Sequence, residues 1–225
     1  MSRAALCAVA VGAGLFAPVL GRAQDGRRIE VSVAGIVASA RSRVFLADTL
    51  EAIGGPWLGG TVRVKAGRVA ASVTGFRGTL SPIVHTPFER DAGQLDAAVQ
   101  FEPRSWLDLE ARYSVRAFRA ASLYQRWTML GTGVRFSGPV ADSAVRVYVG
   151  ASYLPFVSAS VQASAEHGLG AEAGVSATLA DWTIALNYHF ERYDFAGGAS
   201  ARLEEFDWIG LQVAYRVPWR RRASP

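Results

Sequence analysis

The 225-residue sequence contains a single cysteine, Cys7, which lies in an N-terminal segment with the layout of an export signal. The rest of the chain has none, so disulfides, thiolate metal sites and a cysteine nucleophile are excluded there. Beyond that segment the sequence also lacks a run of about eighteen apolar residues, which argues against a membrane-spanning helix. The formal net charge is only +5 and the basic residues are scattered, so a nucleic-acid partner is not expected.

Residues 1–23 predict a signal peptide. Arg3 gives a basic start, the run from Ala4 to Leu20 carries no charge, and small residues surround an expected cleavage point after Ala23. The alternative is a membrane anchor, which is less favoured because the run is rich in Ala and Gly and short for a bilayer span. We therefore expect an exported chain.

The segment from Leu107 to Arg116 alternates apolar and charged residues. Leu109, Ala111 and Tyr113 are separated by polar or charged side chains, and this period of two predicts a strand with one apolar and one charged face. Similar alternation recurs along most of the chain, which favours a closed barrel with its apolar face toward lipid and its polar face toward water. The fold class predicted is all-β: an antiparallel up-and-down transmembrane barrel.

Ten strands are predicted, with eight as the alternative count. Short turns follow the second, fourth and eighth strands, whereas long connections follow the first, third and seventh, and this alternation places both chain ends on one side of the barrel. In the third strand, Phe76 and Arg77 disagree with the faces set by Val69 and Val73, and a bulge near Gly75 is the expected explanation. The strands are expected near residues 29–41, 57–65, 68–80, 93–102, 106–117, 125–136, 144–155, 168–179, 182–193 and 204–219.

The last predicted strand carries Gly210, Val213, Tyr215 and Trp219, an alternating pattern with an aromatic near its end. In this respect the chain resembles bacterial outer-membrane β-barrel proteins, and the resemblance covers essentially all of it after the signal. The resemblance implies a place in the bacterial outer membrane, contact with its lipid, and recognition of the last strand by the barrel-insertion machinery. The expected organisation is a signal peptide (1–23), a barrel (24–219) and a basic C-terminal tail (220–225).

Two sets of side chains are predicted to have distinct surroundings. A polar network of nearly balanced charge should line the lumen and pair, because unpaired burial of each charge is costly. Aromatic residues near the strand ends should form two interfacial girdles. The lumen network comprises Glu30, Arg63, Lys65, Asp96, Asp108, Glu110, Arg112, Arg116, Arg135, Arg146, Glu172, His189, Glu191 and Arg216, and the interfacial aromatics are Trp106, Trp127, Tyr153, Trp182 and Trp219.

The function predicted is a structural or surface-interaction role, in which loops near 42–56, 81–92 and 156–167 bind a partner that the sequence does not identify. The alternatives are a narrow passive pore, an omptin-like surface hydrolase and a secreted lipocalin-like binder with its apolar face inward. A hydrolase would need acidic residues and a histidine at the rim, with His189, Glu191 and Asp194 facing Glu89 or Asp91 as candidates. Catalysis is not expected, and the three scattered histidines predict neither a metal site nor a cofactor.

Overall fold

A computed structural model describes residues 29–46, 49–85, 88–121, 124–141, 143–160, 165–195 and 202–218. The predicted signal peptide, Trp219 and the predicted tail lie outside the described residues. Within them, no helix is long and apolar enough to cross a membrane. The described residues form ten strands: β1 (Ile29–Leu46), β2 (Thr49–Ala66), β3 (Val69–Val84), β4 (Arg90–Arg104), β5 (Leu107–Arg119), β6 (Tyr124–Pro139), β7 (Val145–Ala159), β8 (His167–Leu179), β9 (Trp182–Phe195) and β10 (Arg202–Val217).

The ten strands close into an antiparallel barrel in which each strand pairs with its sequence neighbours and β1 pairs with β10. Both the fold class and the predicted count of ten are confirmed. Four connections, β2–β3, β4–β5, β6–β7 and β8–β9, lie at one end of the barrel together with the two ends of the described chain, and we call this the turn end. The opposite end is the loop end.

The structure corrects two details of the prediction. The expected long loop at 42–56 is almost entirely strand, because β1 continues to Leu46 and β2 begins at Thr49, with unbroken pairing between them. The expected bulge near Gly75 is absent, since the β2–β3 register runs without interruption from Leu58 to Ala66. Phe76 simply faces inward and Arg77 outward, so an aromatic residue occupies the inner face where a polar one was expected.

Three turns at the turn end use backbone conformations with positive φ, at Gly67, Ala141 and Ala180. Gly67, the first residue between β2 and β3, has φ 62°, which glycine adopts without penalty. Ala180, the first residue between β8 and β9, has φ 53°, where its Cβ is disfavoured.

The outer face carries a broad uncharged belt. Along each described strand, about nine consecutive residues have only uncharged side chains at their outward positions, for example from Val31 to Ser39 on β1 and from Ile209 to Val217 on β10. A tilted strand needs nine to eleven residues to cross the hydrocarbon layer of a bilayer. Large apolar residues that are at least 38% exposed on this belt include Val33, Val37, Leu58, Val62, Leu109, Tyr113, Leu130, Val147, Val149, Leu169, Val175, Ile184, Leu186, Tyr188, Ile209, Leu211 and Val213.

Aromatic rings border this belt at the turn end. Trp106 stacks on Phe136 with ring centroids 6.0 Å apart, and Trp182 packs against Tyr215 at 4.8 Å. Tyr153 faces outward nearer the loop end, where it contacts His167. Trp127 does not belong to this set: it is 2% exposed and lies inside the barrel, because its position on β6 shares the inward parity of Met129 and Arg135.

Candidate functional site

The inner face of the turn-end half is polar. All the residues predicted for the lumen network lie on strands, and their register places them on the inward side of the barrel. Most of them line two adjoining cavities in the half of the lumen nearest the turns. Arg116 and Glu191 lie deeper, toward the loop end.

Ion pairs and side-chain amide contacts join the polar residues of this surface. Some join neighbouring strands, and others join two strands that have one strand between them. Arg135 donates to Glu172 from Nε at 2.6 Å and from Nη2 at 2.9 Å, a bidentate pair. Lys65 donates to Glu102, and Arg63 reaches Gln100 at 2.9 Å. Opposite charges thus neutralise each other locally.

Glu191 on β9 is the centre of a buried cluster that crosses the lumen. Its Oε2 accepts from Arg116 Nη2 at 2.6 Å and from the Tyr193 hydroxyl, and its Oε1 accepts from Arg112 Nη2 at 2.9 Å. His189 Nε2 lies 3.0 Å from Oε1. Because β5 and β9 lie on nearly opposite sides of the ten-stranded ring, this cluster spans the interior like a strut.

The guanidinium of Arg116 has further partners. Its Nε donates to Gln94 at 2.7 Å, its Nη1 donates to the Tyr193 hydroxyl at 3.2 Å, and its Cζ lies 3.6 Å from the centroid of the Phe206 ring. A buried charge is tolerated when hydrogen bonds and an opposite charge satisfy it. The described partners meet this condition for both Arg116 and Glu191.

The inner face of the loop-end half is largely apolar, although Gln125 and Glu204 are also buried there, in contrast to the fully polar lumen that was predicted. Trp57 stacks on Phe76 at 5.7 Å and meets the edge of Phe206 at 5.8 Å, while Trp127 packs against Tyr193 at 5.1 Å. These rings belong to a cluster of buried apolar residues that we call the plug, and each of its members is 8% exposed or less. It comprises Trp57, Phe76, Leu80, Phe118, Trp127, Met129, Leu154, Val157, Tyr193 and Phe206.

Two adjoining cavities lie in the other half of the lumen. A cavity of about 360 Å³ is lined by turn-end residues such as Lys65, Asp181 and Arg216. It shares Arg63 and Gln212 with a cavity of about 440 Å³, whose lining extends up to Phe76 of the plug. The barrel therefore holds a blind polar cavity that ends at an apolar barrier.

The residues considered for a rim hydrolase are not assembled into one site. His189 and Glu191 are buried in the lumen cluster, well below the rim. Asp194 lies 4.0 Å from His167 and accepts from Arg192, whereas Glu89 and Asp91 accept from Ser81 and Thr79. Among the described residues, no group of three or more His, Asp and Glu is placed to hold a metal ion.

The plug is the feature that sequence reasoning missed. The sequence signal for the plug was the odd–even alternation of side chains between the two faces of a strand. By this alternation Phe206 shares the inward face with Gln212 and Arg216, and Phe118 shares it with Arg116. Aromatic residues near strand ends instead predicted membrane-interface girdles. That prediction used only their position along the strand and not the face of the strand on which they lie.

Comparison with known proteins supports the architecture. No family model and no curated protein sequence matches this chain. Among solved structures, the outer membrane protease OmpT from Escherichia coli is similar with a TM-score of 0.56 and 11% identity over 84% of this chain and 96% of that one. The translocator domain of the autotransporter NalP from Neisseria meningitidis has a TM-score of 0.49 and 13% identity over 95% of this chain and 98% of that one.

The likeness to OmpT, an outer-membrane protease, confirms at the level of the fold the class-level resemblance seen in the sequence. At identities this low the likeness to OmpT shows a shared fold.

Proposed function

We propose that the chain is an integral protein of the bacterial outer membrane whose lumen is closed, and that it acts through its loop-end surface rather than as a pore. The observation that carries this proposal is the division of the barrel into three surfaces. An uncharged apolar belt surrounds it, a blind polar cavity opens at the turn end, and the plug fills the loop-end half. Small barrels of this width are usually filled by side chains.

The belt supports a membrane location over the lipocalin-like alternative. A soluble ligand-binding barrel would place its charged face outward and its apolar face around a ligand. Here charged residues such as Glu110 and Arg112 face the cavity, while Leu109 and Tyr113 face outward.

The plug argues against the narrow pore. Trp57 and Trp127 have 0% and 2% of their surface exposed. The Arg116–Glu191 pair crosses the lumen beside these rings, at the end of the cavity that the plug closes. An ion entering from the turn end would have to pass apolar rings packed in contact. We therefore expect no passive conductance at rest.

Two measurements test this proposal in sequence. The chain from an isolated outer-membrane fraction should migrate differently on SDS gels with and without boiling, because closed barrels of this class resist SDS until heated. A single unshifted band in the soluble periplasm would contradict the membrane location. The purified barrel should then insert into planar bilayers without discrete conductance steps.

A matched pair of variants isolates the plug. Trp57→Ala/Trp127→Ala removes two rings from the lumen, whereas Trp106→Ala/Trp182→Ala removes two rings from the outer girdle. We expect conductance only in the first variant, because only its substitutions open space along the lumen. Discrete steps from the unsubstituted barrel would overturn the closed-lumen proposal.

The insertion signal is the remaining part of the proposal. Val213, Tyr215 and Val217 alternate outward on β10, and we propose that the barrel-insertion machinery reads this strand.

The extracellular partner expected from the sequence is assigned to the loop end, where β1 and β2 form a continuous hairpin up to Leu46 and Thr49.

A further inference from the structure

The two edges of the apolar belt differ in charge. On the loop-end side, most strands carry a charged residue or a histidine at the first outward position beyond the belt. At the turn-end edge, most outward positions of the described strands carry aliphatic and aromatic side chains instead, such as Val217, Trp182 and Phe136, and Arg104, in register with Leu107, is a charged exception. The loop-end positions are Arg41, Arg77, Asp91, Arg119, Arg126, His167, Arg192 and Asp207, among which arginines outnumber acids.

On the side of β1 and β10, this edge is neutralised internally. Asp207 accepts from Arg41 Nη2 at 3.0 Å and from Arg43 Nη2 at 2.6 Å, and Arg43 also lies 3.4 Å from Glu205. Arg192 on β9 is likewise paired with Asp194 at 3.3 Å. These arginines already have counter-ions.

On the side of β3 to β6, three arginines have no counter-ion among the described residues. Arg77, Arg119 and Arg126 are exposed, and no hydrogen bond or ion pair joins their side chains to another described residue. Two described acids lie beside them: Asp91 is in register with Arg119 and accepts from Thr79 at 3.0 Å, and Glu89 accepts from Ser81 at 3.0 Å. The cationic charge of this patch therefore exceeds its acidic charge.

The residues between these arginines are small. Arg77 is in register with Gly93 of β4, Gly93 with Ala117 of β5, and Ala117 with Arg126 of β6. Strands in a sheet lie about 4.8 Å apart, so Arg77 and Arg126 are separated by roughly 14 Å of low surface. Two arginine side chains can reach toward each other over such a gap. Arg119 lies two residues beyond Ala117 on β5, closer to the loop end.

We propose that Arg77, Arg119 and Arg126 bind a phosphate-bearing lipid headgroup of the leaflet at the loop end. The proposal rests on the proposed membrane location of the barrel. Guanidinium groups suit phosphate oxygens because their planar N–H donors match them bidentately. A lipid fits better than a free ion, because the patch borders the apolar belt at the level where headgroups begin and acyl chains can lie on the belt below it.

The test uses the full folded chain in detergent and measures lipid binding by native mass spectrometry. The probes are a bisphosphorylated glycolipid (lipid A), the same lipid without phosphate, and inorganic phosphate. The variant is Arg77→Gln/Arg119→Gln/Arg126→Gln. Its charge-matched control is Arg68→Gln/Arg104→Gln/Arg216→Gln, which removes three exposed arginines at the turn end.

We expect the site variant to bind lipid A at least about tenfold more weakly than the wild type, with the control unchanged. Binding should also weaken at high salt and without the lipid phosphates. Equal losses in both variants would overturn the site, because they would show a general charge effect. Full displacement by inorganic phosphate would overturn the lipid as its ligand.

A separate readout distinguishes failure of the membrane location from failure of the lipid site. All three proteins are reconstituted in phosphatidylcholine vesicles and examined for the heat-dependent gel shift. Absence of the shift in the wild type would overturn the membrane location and the lipid site with it. A shift in all three, together with equal lipid affinities, would overturn the lipid site alone.

Discussion

Arg116 on β5 and Glu191 on β9 form an ion pair across the interior of the barrel, with Nη2 and Oε2 2.6 Å apart and both side chains at most 2% exposed. Residues 75 positions apart in the sequence thus fix the distance between two nearly opposite walls. Gln94, Tyr193 and Arg112 supply the remaining hydrogen bonds. The pair lies beside the plug, so it contributes to closing the lumen as well as to holding the barrel in shape.

Removing the acid should therefore destabilise the barrel strongly. We expect Glu191→Ala to lower the free energy of unfolding by about 3–5 kcal/mol, because it leaves Arg116 buried without a counter-ion. Glu172→Ala is the matched control: its side chain is 26% exposed and water reaches its partner Arg135, so a smaller loss is expected. Urea unfolding of barrels folded in vesicles measures both. Equal losses would show that burial of the Arg116–Glu191 pair has no special cost.

The strand periodicity was sufficient to predict the architecture. In β5, Leu109, Ala111 and Tyr113 face outward and Glu110 and Arg112 face the cavity, as the alternation of the sequence indicates. A side-chain period of two is a local property of extended backbone, so it can be read without knowing which strands pair. Closure between β1 and β10 follows once enough strands of this kind are present.

The division of the lumen was not predicted, because it depends on which inward residues share a level in the barrel. Trp57 on β2 and Phe206 on β10 are almost 150 positions apart in the sequence, yet they meet with ring centroids 5.8 Å apart. Strand stagger sets that level, and stagger is a property of the closed sheet rather than of one strand. The sequence therefore indicates that each of these aromatic residues faces inward, but it does not indicate that they meet at one level of the barrel.

The apolar belt predicts a position-dependent cost of charge on one strand. Val213 lies near the middle of the belt on β10 and Val217 at its turn-end edge, and both face outward. We expect Val213→Arg to destabilise the barrel by about 2–4 kcal/mol and Val217→Arg by about 0–1 kcal/mol. Urea titration in phosphatidylcholine vesicles measures the difference. Similar values for the two variants would contradict the assignment of this face to lipid.

A glycine in the cavity wall makes room for a tyrosine. A Cβ on Gly174 would come within 2.5 Å of the Tyr148 ring, whose hydroxyl donates to Asn187 at 2.7 Å. We expect Gly174→Ala to cost about 1–3 kcal/mol, because the ring has to move and give up that hydrogen bond. Gly138→Ala is the control, since a Cβ there meets nothing within 4 Å and its effect should be close to zero. If both substitutions are neutral, Tyr148 is free to shift and the close contact does not matter.

The seam between the first and last strands has its own ion cluster at the loop end. The Asp207 side chain is only 4% exposed because Arg41 and Arg43 of β1 cover it. Asp207→Ala should cost about 1.5–3 kcal/mol, since it removes charge-assisted hydrogen bonds that join β10 to β1.

Asp194→Ala serves as its comparison. Asp194 also pairs with an arginine on the outer face, but at 3.3 Å and with both side chains more than a third exposed, so its loss should cost no more than about 1 kcal/mol. Hydrogen exchange would locate the effect: with Asp207→Ala, amides near Ser42 and Phe206 should lose protection before those of the turn end. Uniform loss along β1 and β10 would show that the cluster stabilises the whole seam rather than its loop end. No change in exchange would show that pairing of the two strands alone keeps the barrel closed.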